Sequence, residues 1–589
     1  MASDRDIIAL VEGAAKAGDH AGALKLCEDE LAAAGDRTDL RALAARTALR
    51  AGKPKVAAQH AWAVVEKAPE AVEGWWTLVR AVARAEDAHA AIEALEAALE
   101  HHPDDVGFRC ELGRLVVQED EPARGIRILQ SACDRAPDRP EPQTYLALAL
   151  FLDGQAQPAV AAGRSAIELG ESRPGPLEAL GKELLDAGAL EEARLAFERV
   201  VKRSPRKLDS YSGLSRAAAR LGDTEAARNA ARALFRHCPI YGRKTSDSVH
   251  KVLVLECLYD GYFRERRYGP DIFRYMNFVS GLEPGRLSLH HYYLNRDEPL
   301  ADLRRHLPFD AVINNIANGE RVAALGLAPV IRSITDELGV PVINPPEAVL
   351  ATTRLENYRR LGGAKGFVVP KTVSVMVDPD YPSSVLDTIL EAMSAPFILR
   401  PVHTHAGKHA VLIDSPDAAK EALEGFAGQT IYAIEYFECR DADGIARRYR
   451  FVCVGGQLIP VNMHAAHHWN VHGDERSDDE WRARGLEEEE RAFLDNPAAM
   501  LGRAPSEQFR ELVEGMPLDI FGFDFCPSEA HGTILFEANS SMSFSTRRLV
   551  TRYPYLAAHK TRSQRAINKL IESRIGAAQR ARDGAGPTA

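Results

Sequence analysis

Phe521-Gly-Phe-Asp524-Phe525, a Ser528-Glu-Ala-His-Gly532 turn and Ile534-Leu-Phe-Glu537-Ala-Asn539-Ser-Ser541 make up the stretch whose reading decides the fold of the second half of this chain. Two apolar runs flank a turn-rich centre, which predicts the two antiparallel strands of a hairpin. Side chains on a strand repeat every two residues, so Glu537, Asn539 and Ser541 share a face. Asp524 faces them from the other strand. Two carboxylates and an amide oxygen so placed are hard-oxygen donors of the kind Mg²⁺ takes, with room left for phosphate oxygens. The other reading of the same pattern is a polar sheet face turned to solvent.

Working outward, the totals bound the answer. The 589 residues predict two to four domains, and 73 basic against 84 acidic side chains give a net charge of −11. That balance argues against a general polyanion binder, and no nucleic-acid partner is expected. Eight cysteines are scattered without a Cys-x-x-Cys pair and read as core thiols of a reducing compartment. The first twenty residues carry charges where a secretory leader would be apolar, and no run reaches membrane-spanning length, so a soluble cytoplasmic protein is expected.

The amino-terminal 240 residues repeat. Pro69, Pro103, Pro137, Pro205 and Pro239 are separated by 34, 34, 68 and 34 residues, and the proline due near 171 has moved to Pro174. Counting back predicts repeat starts near 4, 38, 72, 106, 140, 174 and 208. Such a period describes stacked helical hairpins. Trp75, Leu78, Ala91, Leu95 and Ala98 in the third unit, Gly181, Ala193 and Phe197 in the sixth, and Tyr211, Leu214 and Ala227 in the seventh fall on interior positions. Small residues there let two helices approach, and large ones fill the space between hairpins. Trp62, Trp75 and Trp76 are expected in the core. In period and in these residues the segment resembles the tetratricopeptide repeat family, with Arg109 and Gly163 departing from its usual larger apolar residues. The resemblance implies about seven repeats over residues 1–241 and a groove that docks a protein or peptide; a structural spacer is the alternative.

Beyond Pro239 the composition changes. Lys251-Val-Leu-Val-Leu255 reads as a buried strand, followed by strands at 287–293, 311–314 and 341–343 that alternate with helical stretches at 298–306 and 319–338. Alternation of this kind means a parallel sheet, with ligands at the strands' carboxyl ends such as Asn314 to Glu320. Neither a phosphate-binding G-x-x-x-x-G-K-[ST] loop nor a dinucleotide G-x-G-x-x-G follows the first strand. A helix from Thr352 to Arg360, the Val369-Pro-Lys-Thr372 entry and Pro396-Phe-Ile-Leu-Arg400-Pro401 come next. A strand that delivers a cation beside the glycine-containing loop at Gly407 and Lys408 suits a triphosphate. Four histidines between His464 and His472 lack the spacing of a zinc site.

The order of these parts, from the small α/β segment to the final hairpin, resembles the ATP-grasp ligases, above all the ribosomal-protein glutamate ligases and their relatives. The resemblance implies an α/β domain preceding the grasp over 242–350, an α+β ATP-grasp domain over 351–575 and a disordered tail over 576–589. It implies ATP and Mg²⁺ as cofactors. On this likeness Arg400 replaces the family's phosphate-binding lysine, with Gly407 and Lys408 in the loop beside it. Glu435, Tyr436 and Phe437 form the hinge against which adenine packs, and His403 and His405 are loop polar groups or secondary phosphate donors. Arg450 matches an arginine that faces the γ-phosphate, Asn470 and His472 an Asn-x-His loop over the reaction centre, and Asp524, Glu537 and Asn539 the magnesium ligands. Where the family has a glycine-rich run this chain has Met542 to Arg548, and where it has Asp-Lys this chain has Arg354 and Glu356. The acidic insertion at 474–500 reads as a solvated helix. The implied activity is ATP-dependent joining of a small carboxylate to an amine through an acyl phosphate. An ATP-grasp kinase and a repeat-bearing adaptor with a degenerate grasp domain are the alternatives.

Overall fold

In a computed structural model the chain forms two compact units, residues 1–237 with 262–271, and residues 238–261 with 272–589. The structure describes residues 4–238, 240, 250–258, 260–263, 287–294, 299–316, 318–402, 404, 407, 409–471, 478–540 and 547–584.

Among the described residues the first unit carries fourteen helices in antiparallel pairs. The leading helix of each pair begins at Asp4, Thr38, Val72, Val106, Pro140, Pro174 and Leu208, the starts that the proline register predicts. Local chemistry sets these boundaries: Asp19, Asp87 and Asp105 accept backbone N–H groups at helix entries, and Pro54, Pro122, Pro140 and Pro174 occupy first-turn positions where no N–H is needed. Within each pair the helices cross at small residues. Ala45 with Ala57, Ala147 with Ala159, and Gly113 with Gly125 recur at one register, and the four alanines are buried to within 1%. At the glycine pair a Cβ on Gly125 would stand 2.7 Å from the carbonyl oxygen of Gly113, so these two helices meet almost backbone to backbone. Trp75 is 3% exposed and its indole N–H donates to the Pro69 carbonyl at 2.8 Å. Trp62 corrects the expectation of a core residue: it is 44% exposed, on the outer face of its helix.

Where the expected proline is missing, Glu171 takes over the turn. It is 1% exposed and accepts from the Thr144 hydroxyl at 2.7 Å, from the Arg173 backbone N–H at 2.9 Å and from the Arg173 guanidinium at 2.6 Å. Burial pushes its carboxyl up, but the bonds from Arg173 and Thr144 outweigh burial and hold it at about 2. A carboxylate whose pKa is depressed in the folded state contributes stability above its unfolded value, lost as pH falls through the folded one. The urea midpoint of the protein should therefore fall between about pH 4.5 and about 2. Glu171→Gln, which cannot titrate, should show a shallower fall over the same window.

Among the described residues the second unit holds three sheets. β1 (His250–Glu256), β2 (Leu287–Tyr293), β3 (Ala311–Asn314) and β4 (Val342–Ile343) form a parallel sheet in the order β2-β1-β3-β4. β5 is Phe367–Val368. β6 (Thr372–Met376), β7 (Phe397–Pro401), β8 (Val411–Ile413) and β9 (Thr430–Glu435) make an antiparallel sheet in the order β6-β9-β7-β8. β10 (Ala446–Val454), β11 (Gln457–Ala466), β12 (Ile520–Ser528) and β13 (Gly532–Asn539) complete a five-stranded sheet in the order β11-β10-β12-β13-β5. Pro460 lacks an N–H, and the fold accommodates it on the edge strand β11, where the register shifts between Arg450 and Phe451.

Asn344 fastens the parallel sheet to the five-stranded one. Fully buried at a positive φ of 56°, its side chain accepts from the N–H groups of Asp519 and Ile520 at 2.9 Å each and donates to the Ile520 carbonyl at 2.7 Å. The long helix Leu556–Gly584 lies in the same seam, where Ile567, Ile571 and Ile575, four residues apart on one face, pack with Val254, Ile313, Val452 and Ile520. This helix overturns part of the expected tail. Regular structure runs through 576–584, and the Arg582 guanidinium donates to the Gly339 carbonyl at 2.6 Å. Among the described residues no helix is long and apolar enough to cross a membrane.

Candidate functional site

Alternation along β10 and β12 divides the five-stranded sheet into two faces. Tyr449, Phe451, Phe523 and Phe525 pack into the core beneath it, with the Phe451 and Phe525 rings stacked at 5.3 Å. The intervening residues, Arg448, Arg450 and Asp524, point the other way, and Asn462 and His464 on β11 stand opposite Arg450 and Arg448. Asp524 and Glu537 are direct partners across β12 and β13, as the hairpin predicts, and Asn539 lies two residues beyond Glu537.

Each carboxylate is met by a guanidinium. Arg450 donates through Nε to Asp524 Oδ1 at 2.6 Å and through Nη2 to Oδ2 at 2.7 Å, a fork closed on both oxygens. Arg354, from the helix Arg354–Leu361, donates to Glu537 Oε2. Burial works against ionisation at Asp524, but Arg450 and then Arg448 overcome it and hold the carboxyl well below the usual carboxylate range. At Glu537 burial is likewise opposed, chiefly by Arg354, and the net direction is down. Both groups therefore stand ionised. Arg400, at the end of β7, is 7% exposed and donates to the carbonyl and hydroxyl of Thr404. Burial first, and Arg354 second, bring its guanidinium down to about 9.

Beside Glu537 and Arg354 lies a small cleft open to solvent. Arg354 and Tyr358 line it from the helix, Thr372 and Ile434 from the four-stranded sheet, and Phe536 and Glu537 from β13. Of the expected hinge residues, Glu435 closes β9, where its Oε2 accepts the Lys371 N–H at 3.2 Å, so its carboxylate is committed to backbone. Tyr436 meets Trp469 edge to face at 6.3 Å, and Phe437 meets His531 at 5.2 Å. Asn470 donates to the Gly407 carbonyl at 3.3 Å, bringing together two loops that the sequence places 63 residues apart. Lys408, His472, His403 and His405 lie outside the described residues, as do Ser541 and the side chains of Arg547 and Arg548.

The acidic insertion corrects its expectation. It forms the helices Asp478–Ala483, Leu486–Asp495 and Pro497–Leu501. Phe493, Leu494 and Glu490 are fully buried, and Glu490 accepts the Met463 N–H at 2.8 Å and the Tyr555 hydroxyl. Glu489 takes the Arg447 guanidinium at 2.9 Å and the Tyr449 hydroxyl. Four consecutive glutamates conceal the pattern, because two of them reach polar groups of the sheet while the apolar stripe behind fills the core.

Arg448 and the Glu320–Tyr432 pair escaped the sequence reading. Arg448 and Arg450 are two apart on a strand, a spacing that already puts both on one face. The Tyr432 hydroxyl donates to Glu320 Oε1 at 3.1 Å across 112 residues of chain, and no local pattern announces such a contact.

The donors suit a hard divalent ion. Asp524 and Glu537 are ionised, Asn539 adds an amide oxygen on the same hairpin, and a carboxylate keeps lone pairs beyond those one guanidinium engages. Among the described residues no three His, Cys, Asp or Glu side chains cluster as a metal site. Asp524 also neutralises two buried cations. Asp524→Ala should lower stability by about 3–5 kcal/mol, read as the urea midpoint, because it leaves Arg450 and Arg448 unmatched.

Comparison with other proteins bears mainly on the first unit. Tetratricopeptide repeat family models match residues 72–115 and 178–237. No curated protein matches the sequence. The crystal structure of MamA protein is similar at 20% identity and a TM-score of 0.24, over 28% of this chain and 89% of that one. A RimK domain protein ATP-grasp from Sphaerobacter thermophilus is similar at 17% identity and a TM-score of 0.32, over 53% of this chain and 97% of that one. A carboxyaminoimidazole ribonucleotide synthase from Aspergillus clavatus, complexed with ATP, is similar at 14% identity and a TM-score of 0.33, over 50% and 71%. The helical unit of this chain is a run of tetratricopeptide repeats, and a mixed α/β region follows it.

Proposed function

We propose that the second unit is an ATP-grasp ligase that binds ATP with Mg²⁺ and joins a carboxylate to an amine, releasing ADP and phosphate. The observation that carries this reading is the sheet face on which Asp524 and Glu537, both ionised, stand among Arg354, Arg400, Arg448 and Arg450 beside a cleft between two antiparallel sheets. Phosphate oxygens call for cations and for a metal held by carboxylates, and this face offers both. The purine would lie against β9 and the residues after it, where Tyr436 and Phe437 present ring edges and backbone.

Asp524, Glu537 and Asn539 would hold the magnesium, which when bound would neutralise phosphate charge. Arg450 would stabilise charge on the transferred group, and Arg400 would hold the phosphates upstream of it. A carboxylate oxygen of the substrate attacks the γ-phosphorus and ADP leaves. The amine then attacks the acyl carbon and phosphate departs. No protein nucleophile enters, so the work of these residues is alignment and charge neutralisation. Asn470, tied to Gly407, would help close the loops over the centre. The repeats of the first unit would bring a protein or peptide to this chemistry, since stacked helical hairpins present a continuous surface for a partner.

Calorimetric titration of Mg²⁺-ATP into the full chain tests the reading. Glu537→Gln should weaken nucleotide binding at least about tenfold, roughly 1.4 kcal/mol, if the carboxylate holds the metal. Absence of nucleotide binding by the unmodified chain across a range of Mg²⁺ would end it. Product analysis with candidate acceptors then separates an amide from a phosphorylated alcohol, the outcome expected of a kinase.

A further inference from the structure

Residues 436–445 run from β9 to β10 and so link the β6-β9-β7-β8 sheet to the five-stranded sheet. Contacts lay this link along one end of the five-stranded sheet. The Phe437 ring meets His531 of the β12–β13 turn at 5.2 Å, Arg440 bridges to Ala446 at the start of β10, and the Arg447 guanidinium donates to Asp441 at 3.1 Å.

That path brings two thiols together from distant parts of the chain. Cys439, in the link, is partly exposed, and Cys526, on β12, is 2% exposed. Their side chains are in hydrogen-bonding contact with each other. Each sulfur also sits at its own carbonyl, Cys439 Sγ donating to Phe437 and Cys526 Sγ to Pro527, both at 3.3 Å. Among the described residues no three His, Cys, Asp or Glu side chains cluster, so these thiols lack the further ligands of a thiolate metal site. Cys110 and Cys133, in the repeats, provide a contrast. They also interact, but both are buried, and burial pushes their thiols up to about 12 and about 11. An oxidant reaches a thiol by access, and Cys439 is the member of a pair that has it.

We propose that Cys439 and Cys526 form a redox-modification site, which a hydroperoxide oxidises reversibly to a disulfide that fastens the link 436–445 to β12. The peroxide O–O bond breaks as one oxygen passes to the Cys439 sulfur, giving a sulfenic acid and releasing water or an alcohol. The Cys526 sulfur then attacks the Cys439 sulfur. The S–S bond forms, the S–O bond breaks, and hydroxide leaves with the Cys526 proton as water. Two thiols lose two electrons and one hydroperoxide gains them. A dithiol restores both thiols by exchange. Cys526 lies two residues beyond Asp524, so the bond would pin the connection between two sheets to the strand that carries that carboxylate.

Peptide mapping of the full chain after brief exposure to hydrogen peroxide is the direct test, with remaining thiols alkylated before proteolysis and no reductant added. One linked peptide pair, holding Cys439 and Cys526, should appear and should vanish on treatment with dithiothreitol, while Cys110 and Cys133 stay reduced. Cys526→Ala should give no linked pair and should leave Cys439 as a sulfenic acid that dimedone captures. Cys439→Ser should give no linked pair either, and it serves if the Cys526 variant does not fold. Amide hydrogen exchange across 436–445 should slow in the linked protein and recover on reduction. No linked pair in the native chain, a pair that forms only in urea, a pair that draws on another cysteine, or unchanged exchange across the link would overturn the proposal. None of these readouts involves a nucleotide, so the proposal and the ligase reading fail separately.

Discussion

Asp524 and Glu537 face each other directly across two paired strands, a placement in which like charges repel and weaken a sheet. The second unit tolerates it because Arg450 closes on one carboxylate from the neighbouring strand and Arg354 reaches the other from a helix 183 residues earlier in the chain. That requirement orders much else. β10 must lie beside β12 to deliver Arg450, and the helix Arg354–Leu361 must sit over β13. Asn357 on that helix secures the second condition by donating to the Ala538 carbonyl at 2.5 Å. Packing below and charge above thus agree on one register: Phe523 and Phe525 can enter the core only when Asp524 faces its arginine.

Hydrogen bonds fix where elements meet, and apolar area provides the drive. The five-stranded sheet buries Phe451, Phe493, Phe509, Phe523 and Phe525 in one aromatic cluster, while its other end packs against the parallel sheet through branched aliphatics. Glu490 and Asn344 are hydrogen-bonded polar groups inside this core, and each joins segments far apart in the chain.

How much of this was legible beforehand depended on whether the signal was local. The starts of the leading helices were legible to the residue, because prolines recurring at a fixed period set the register even where one of them is missing. The hairpin was legible because two apolar runs around a turn also predict which side chains share a face. Arg354 was noticed as a departure, but its bond to Glu537 depends on the packing of a helix on a sheet, which spacing does not encode. The acidic insertion misled for a related reason: its composition is that of a solvated helix, and only the positions of Tyr449, Arg447 and Tyr555 turn two glutamates inward. A polar ending likewise concealed a helix whose buried side ends at Ile575 and whose backbone continues to Gly584.

The helix Leu556–Gly584 follows in the chain every strand that it covers. During synthesis the aliphatic faces of β1, β3, β10 and β12 are therefore made before the element that shields them. Until those residues emerge, the nascent second unit carries bare Val252, Val254, Val452 and Ile520, a sticky intermediate of the kind that chaperones hold. The repeats depend on later segments far less, since each hairpin packs on its immediate neighbour and Phe263 is added only at the last one. Within one polypeptide, then, the first half is covered by segments made next to it, and the second by a helix made after all of the strands it packs against.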